Sequence, residues 1–396
     1  MQRVVVVGAG MAGVQTAVSL RDEGFSGRVT VVGEEPHPPY DRPPLSKALL
    51  LGTVESSAFD IDFDALDVEL LLGRRAVEVR PDERVLLTDA GPVGYDRLVL
   101  ATGAEPVALP GSEGVAGVYL LRTLDDAVAL RPVLEHHERV VVVGAGWIGA
   151  EFATVARQSG CEVTVVEAAR QPLGGALPDE VTEPMRAWYA AAGVTLLTGT
   201  AVDRVEPGAV HLPNGDRLAA DAVVIGIGAR PATGWLAGSG IELGPDRAVV
   251  ADDRLRTSAE DVFAVGDCAS FPSARYGTRL LVHHWDNAVH GPKAVAANVL
   301  GGDVAYDPVP YFWSEQFDRF VQYAGHHEGA DEMVRRGDPA ESAWSVCWLH
   351  GGRLVALLAV GRPRDLAQGR KMIERGAALD RARVADPSVP LKSALS

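Results

Sequence analysis

Gly8, Gly10 and Gly13 stand at the spacing that lets backbone amides close around a phosphate, and Gly144, Gly146 and Gly149 repeat it. In each copy the first glycine permits a tight turn, the second lets the backbone approach a pyrophosphate, and the third lets a helix pack against a strand. Ala12 and Ile148 sit just before the third glycine, where the first helical amides would face the anion. An acid about 20 residues further on can accept hydrogen bonds from ribose hydroxyls. Glu34 and Glu167 occupy those places, each after a run of β-branched residues. Repetition of glycines and acid together points to two dinucleotides on one polypeptide, a pairing suited to redox chemistry.

Such loops need a strand before them and a helix behind them. Val4 to Val7 and Val140 to Val143 are continuous apolar runs, as expected of parallel strands covered on both faces, and Ala-rich helical stretches follow each. Tyr95 to Ala104 is a further strand ending in the small-residue turn Ala101-Thr102-Gly103, and Asp221 to Pro231, which contains Gly228, is a related segment in the second half. Asp261 to Ala269 delivers Gly266 and Asp267 at another strand end. From about residue 304 the texture turns aromatic, with Tyr306, Tyr311, Phe312, Trp313, Phe317, Phe320, Trp344 and Trp348, and a smaller α+β domain is expected there.

Composition fits a globular enzyme of two or three domains: 396 residues, 47% hydrophobic and 23% charged. A net charge of -16 argues against nucleic acid as a partner, because phosphate backbones demand an excess of Lys and Arg. No apolar run approaches the ~18 residues of a membrane span. The first strand begins near residue 3, which leaves no room for a signal peptide. Cys161, Cys268 and Cys347 are widely spaced and form no C-x-x-C, so a reduced, cytoplasmic protein without a disulfide framework or metal ribbon is expected. His283, His284, His326 and His327 lack metal-site spacing and partners.

In this order the motifs resemble the FAD-dependent pyridine-nucleotide oxidoreductases, and the resemblance covers essentially the whole chain. It implies an α/β fold with two Rossmann-like dinucleotide-binding domains of the glutathione-reductase type plus a C-terminal α+β domain. The implied boundaries are 1–110 and 231–303 for a discontinuous FAD domain, 111–230 for the NAD domain and 304–396 for the last. FAD would take the first glycine unit, with Ala101, Thr102, Gly103, Gly266 and Asp267, and NADH the second, with Gly228.

The branch is decided by a missing thiol. Disulfide reductases carry a cysteine pair soon after the first acid, and coenzyme A disulfide reductases or related NADH oxidases a single cysteine. The stretch from Glu34 to Lys47 has none. Tyr40-Asp41-Arg42-Pro43-Pro44-Leu45-Ser46-Lys47 instead resembles the ferredoxin and rubredoxin reductases of bacterial oxygenase systems. So do Leu121 to Ala127, which includes Arg122, His284-Trp285-Asp286-Asn287-Ala288, Pro310 to Asp318 with Trp313, and Gly361-Arg362-Pro363. The resemblance implies that His284, Trp285, Ala288 and Trp313 line the flavin and that Arg42 and Arg122 help hold it.

Lys47 is the candidate cation beside the flavin ring, where a fixed positive charge favours the reduced, anionic state. Glu151, expected on the first turn of the NAD-domain helix, is the candidate partner of Lys47 in a catalytic pair that positions the nicotinamide. Glu167 accepts from ribose and repels a 2'-phosphate, which favours NADH over NADPH, although Arg170 nearby could accommodate that phosphate.

The expected electron acceptor is a [2Fe-2S] ferredoxin feeding a haem monooxygenase or a Rieske dioxygenase. Between residues 362 and 383, Arg362, Arg364, Arg370, Lys371, Arg375, Arg381 and Arg383 outnumber Asp365, Glu374 and Asp380, a local docking face on an acidic chain. A salt-bridged helix surface explains the same pattern. Two other readings stay open, a rubredoxin reductase or NADH oxidase with the same first half-reaction and an NADH-sensing signalling flavoprotein. The missing intersubunit cysteine relay is compatible with a monomer or weak dimer.

Overall fold

A computed structural model describes residues 2–396. The chain divides into two compact units. The first comprises the stretch to Asp41 with 58–105 and 230–312, the second 42–57, 106–229 and 313–396.

In the first unit the strand Arg3–Val7 is the centre of a five-stranded parallel sheet. Arg28–Val32 and then Val68–Leu71 lie on one side, Arg97–Leu100 and then Val262–Ala264 on the other. Val4 to Val7 are at most 2% exposed because both sheet faces are covered, and each such valine contributes roughly 1.5–3 kcal/mol of burial. The helix Met11–Asp22 follows the glycine loop and the helix Trp285–Val299 packs against it.

The second unit repeats the plan around Arg139–Val143. Glu162–Val166 and Thr195–Leu197 lie on one side, Ala222–Ile225 and Val118–Tyr119 on the other, all parallel. Register is equivalent in the two sheets: Val4 faces Val29 as Val140 faces Val163, and Arg97–Leu100 takes the place that Ala222–Ile225 takes in the second. The kinship expected between Tyr95 to Ala104 and Asp221 to Pro231 is thus a matter of position as well as composition.

The aromatic C-terminal stretch forms a five-stranded sheet in the order Tyr311–Gln316, Arg319–Gly325, Arg353–Val360, Trp344–His350, Glu332–Arg336. Its paired strands are antiparallel from Arg319–Gly325 onward, and the helix Pro363–Glu374 covers it. The architecture is therefore α/β with two parallel dinucleotide-type sheets and a C-terminal antiparallel domain, as the sequence led one to expect. Among the described residues no helix is long and apolar enough to cross a membrane.

Candidate functional site

Leu124–Glu135 and Arg381–Ala385 cap themselves with a side chain. Leu124–Glu135 starts at Thr123, whose side chain accepts from Asp126 N while the Asp126 carboxylate accepts from Thr123 N, a complete capping box. The helices Met11–Asp22 and Trp147–Gln158 do not. Their N-caps are Gly10 and Gly146, with no side-chain cap and no acid in the first turn. Their leading N–H groups and positive dipole ends are thus left for an external anion. A Cβ on Gly10 would meet no atom within 4 Å, and one on Gly146 only a carbonyl oxygen at 3.8 Å. Both loops therefore have the open, amide-lined form that a pyrophosphate fits.

What holds the loops open is the glycine before them. Gly8 has φ +113° and Gly144 φ +102°, conformations that other residues adopt only under strain. A side chain there would collide with backbone, since a Cβ would lie 2.2 Å from the Ala101 carbonyl oxygen in one unit and 2.4 Å from that of Gly226 in the other. Gly13 and Gly149 press equally close on the carbonyls of Gly8 and Gly144.

Around the first loop the unit gathers several of the expected residues. Ala101, Thr102 and Gly103 follow the neighbouring strand, and Gly266 comes so near Ala12 that an added Cβ would lie 2.9 Å from the alanine Cβ. Burial lowers His284 to about 4, partly opposed by the negative charge of Asp267, so the imidazole is neutral near pH 7. Its ring packs against Phe312 at 4.4 Å between centroids. Trp285 donates from Nε1 to Asp41 Oδ1 at 2.8 Å, and Ala288 is 9% exposed. Glu34 is exposed. Cys268 is buried, and that burial pushes its thiol pKa up, so it is no thiolate nucleophile.

The second loop has a different retinue. Glu167 is fixed by its own backbone, Oε2 accepting from Ala145 N at 2.6 Å and Oε1 from Ala169 N at 2.7 Å. Ile148 is 44% exposed at the mouth of the loop, a large apolar side chain with no core to fill. Gly228 follows the adjacent strand at φ +125°. Arg42 donates from Nη1 to the Arg122 carbonyl at 2.6 Å, so two residues expected at one cofactor lie together. Trp313 is partly buried in the same unit.

Lys47 and Glu151, 104 positions apart, form an ion pair, Nζ to Oε2 at 2.7 Å, with side chains 19% and 4% exposed. Glu151 is the fifth residue of its helix and so opens the second turn, not the first as expected. Sequence reasoning missed what surrounds it. Ser46 Oγ donates to Oε2 at 2.6 Å and Ser314 Oγ to Oε1 at 2.7 Å. The only signal for them in the sequence is that both lie in segments that resemble the oxygenase-system reductases. Among the described residues no cluster of three or more His, Cys, Asp or Glu could hold a metal.

Residues 2–291 match the pyridine nucleotide-disulphide oxidoreductase family and residues 311–395 the reductase C-terminal family. Rhodocoxin reductase of Rhodococcus erythropolis is 37% identical, the alignment covering 99% of this chain and 94% of that protein. The ferredoxin reductase component of chlorobenzene dioxygenase from Cupriavidus sp. (strain PS12) is 39% identical over 97% of this chain and 95% of the other. Among solved structures, the covalent putidaredoxin reductase–putidaredoxin complex superposes with a TM-score of 0.94 at 33% identity, covering 99% of this chain and 97% of that one.

Proposed function

Because this chain belongs to the pyridine nucleotide-disulphide oxidoreductase family and carries a reductase C-terminal domain, we propose that it is an NADH-dependent ferredoxin reductase. FAD and NAD(P)H are the cofactors of the family. In this reading NADH is the nicotinamide used, and the acceptor is a small [2Fe-2S] ferredoxin that feeds a haem monooxygenase or a Rieske dioxygenase. Bound FAD supplies the conversion of a two-electron donor to one-electron transfers, so one NADH reduces two ferredoxins and releases one proton.

The residues of the chain bind and orient. The uncapped helix at Gly10, with Ala12, Gly13, Ala101, Thr102, Gly103, Gly266 and Asp267, would hold FAD. His284, Trp285, Ala288 and Trp313 would pack beside it. The helix at Gly146, with Ile148, Gly149, Gly228 and Glu167, would hold NADH. Lys47 would supply fixed positive charge at the reacting end, and Arg42 and Arg122 would brace the segment that carries it. The domain boundaries 1–110 with 231–303, 111–230 and 304–396 belong to the same reading.

One observation carries it: the segment after the first acid has no thiol and presents Lys47, locked to Glu151 of the second cradle's helix. Electrons therefore have no disulfide to visit on their way out. Anaerobic stopped-flow reduction by NADH, followed by cytochrome c reduction with and without added ferredoxin, tests the proposal. Flavin reduction within milliseconds to seconds and cytochrome c reduction that requires ferredoxin are expected. Rapid oxygen consumption that ignores ferredoxin would identify an oxidase instead, and a long-lived reduced complex with a changed oligomeric state would identify a sensor.

A further inference from the structure

The Pro310 to Asp318 segment enters the reading above only through Trp313, yet it holds a buried polar chain aimed at Glu151. Gln316 Nε2 donates to Ser314 Oγ at 3.0 Å, and Ser314 Oγ donates to Glu151 Oε1 at 2.7 Å. Both residues are 1% exposed. A serine hydroxyl has one proton, so with its oxygen already accepting from the amide its hydrogen is committed to the carboxylate. Glu315 N adds a longer contact to Oε1 at 3.4 Å, while Ser46 Oγ and Lys47 Nζ occupy Oε2. A carboxylate has about four acceptor sites. Those of Glu151 are filled from within the protein, which leaves it suited to aiming Lys47 and poorly suited to touching a ligand itself.

The same turn is anchored a second time on the same helix. Phe317 N donates to Thr154 Oγ1 at 3.0 Å, and position 154 lies on the helix face of 151. Phe317 adopts φ +47° and packs its ring on Tyr189 at 4.5 Å. The strand that carries Ser314 is thereby held against the helix that carries Glu151 at two points along their length.

We propose that Ser314 is a positioning residue for the nicotinamide half-reaction: held by Gln316, it fixes the Glu151 carboxylate and, through it, the Lys47 ammonium. The idea deepens the proposed function and rests on NADH being the donor. It assigns the C-terminal domain a part in receiving electrons, by way of a strand from which no side chain need meet the nicotinamide.

The test compares FAD-loaded wild type, Ser314→Ala, Glu151→Gln and the double variant. At saturating NADH, Ser314→Ala should slow flavin reduction about tenfold, in the range that small misplacements cost. Calorimetric affinity for NAD+ should change less than about twofold, since the glycine loop and Glu167 are untouched. In the Glu151→Gln background Ser314→Ala should add little, both in reduction rate and in thermal unfolding midpoint. Equal losses in both backgrounds would mean that Ser314 only fills space, and an unchanged rate in the single variant would equally overturn the proposal. Should Ser314→Ala fail to accumulate, Gln316→Leu leaves the serine hydroxyl free to turn and should slow reduction less but in the same direction; no slowing there is also a refutation. Wild-type holoprotein that NADH does not reduce would sink the functional reading instead, while non-additive unfolding of the four proteins would still report on the bond from Ser314 to Glu151.

Discussion

The two glycine cradles are the same object built twice, and they differ only in their company. In both, a valine strand ends in a positive-φ glycine pressed on a neighbouring carbonyl, and a glycine N-cap leaves the helix amides bare. Beyond that the copies part. Where the second helix has Glu151 bound to Lys47, the corresponding place two residues past the last glycine of the first is Gln15, an uncharged side chain. Glu167 has both oxygens held by backbone amides, whereas Glu34 is exposed. Backbone geometry gives both cradles the form that a pyrophosphate fits; in the proposed function it is the side chains around them that would set one cradle to react and the other to grip.

The sharpest way to break this comparison is to make one lesion in both copies. Alanine at Gly8 or Gly144 must adopt strained backbone, about 1–3 kcal/mol, and must also displace a carbonyl oxygen. Gly8→Ala is expected to yield protein without bound flavin, read from its visible spectrum. Gly144→Ala should keep its yellow colour and lose reduction by NADH. If the losses were exchanged, the assignment of the two cradles would have to be reversed.

Next in size is Glu151→Gln. Breaking a buried ion pair by removing one partner costs about 3–5 kcal/mol, and the partial exposure of Lys47 reduces that. The limiting rate of flavin reduction should fall on the order of 100-fold, about 2.7 kcal/mol of transition-state stabilisation, with flavin content unchanged. A variant reduced as fast as wild type would show that the charge in the second cradle is structural, and would erase the contrast with Gln15.

How much of this was legible beforehand follows from the range of each interaction. The valine strands, glycine turns and acids are written within some 30 residues, so local spacing fixes them, and the two parallel sheets follow from the repeat. Lys47 as a fixed cation and Glu151 just past the second fingerprint are legible as a candidate pair from charge and position, and the ion pair joins them. Ser46 and Ser314 reach Glu151 across 105 and 163 positions with no periodicity to announce them, and a serine in a strand is ordinarily just a serine. The basic tail is legible as charge, with a salt-bridged surface as its open alternative, but not as to which residues pair. Arg362 bonds Asp365 at 2.7 Å, Arg381 bonds Glu332, and Arg383 donates to the Ser393 carbonyl.

A smaller effect tests the two acids against each other. Glu167→Ala removes an acceptor for ribose that the backbone had already aimed, and with it a charge that repels a 2'-phosphate. The KM for NADH should rise about tenfold, as loss of a hydrogen bond from a charged group costs roughly 1.5 kcal/mol, and the ratio of NADPH to NADH use should rise with it. Glu34→Ala, which removes an exposed side chain, should shift FAD affinity by less. A Glu167→Ala protein with unaltered nucleotide preference would argue that Arg170 or another group decides it.

The smallest effect concerns where electrons leave. Ion pairing, together with the bond from Arg383 to the Ser393 carbonyl, subtracts from the basic tail until Arg364, Lys371 and Arg375 remain exposed and outside any ion pair among the described residues. Their spacing of seven and four places them in one stripe along and just past the helix Pro363–Glu374. On a chain of net charge -16 such a stripe is where an acidic ferredoxin would meet least repulsion. Reversing all three to Glu should raise the KM for ferredoxin several-fold at low ionic strength, with the difference fading near ~0.5 M salt as exposed charges are screened. Reduction of the flavin by NADH should be untouched, because nothing in either cradle has changed. If the triple reversal left ferredoxin reduction equally fast at every salt concentration, the exit would have to lie on another face, and the division between a cradle that grips, a cradle that reacts and a surface that hands on would lose its third part.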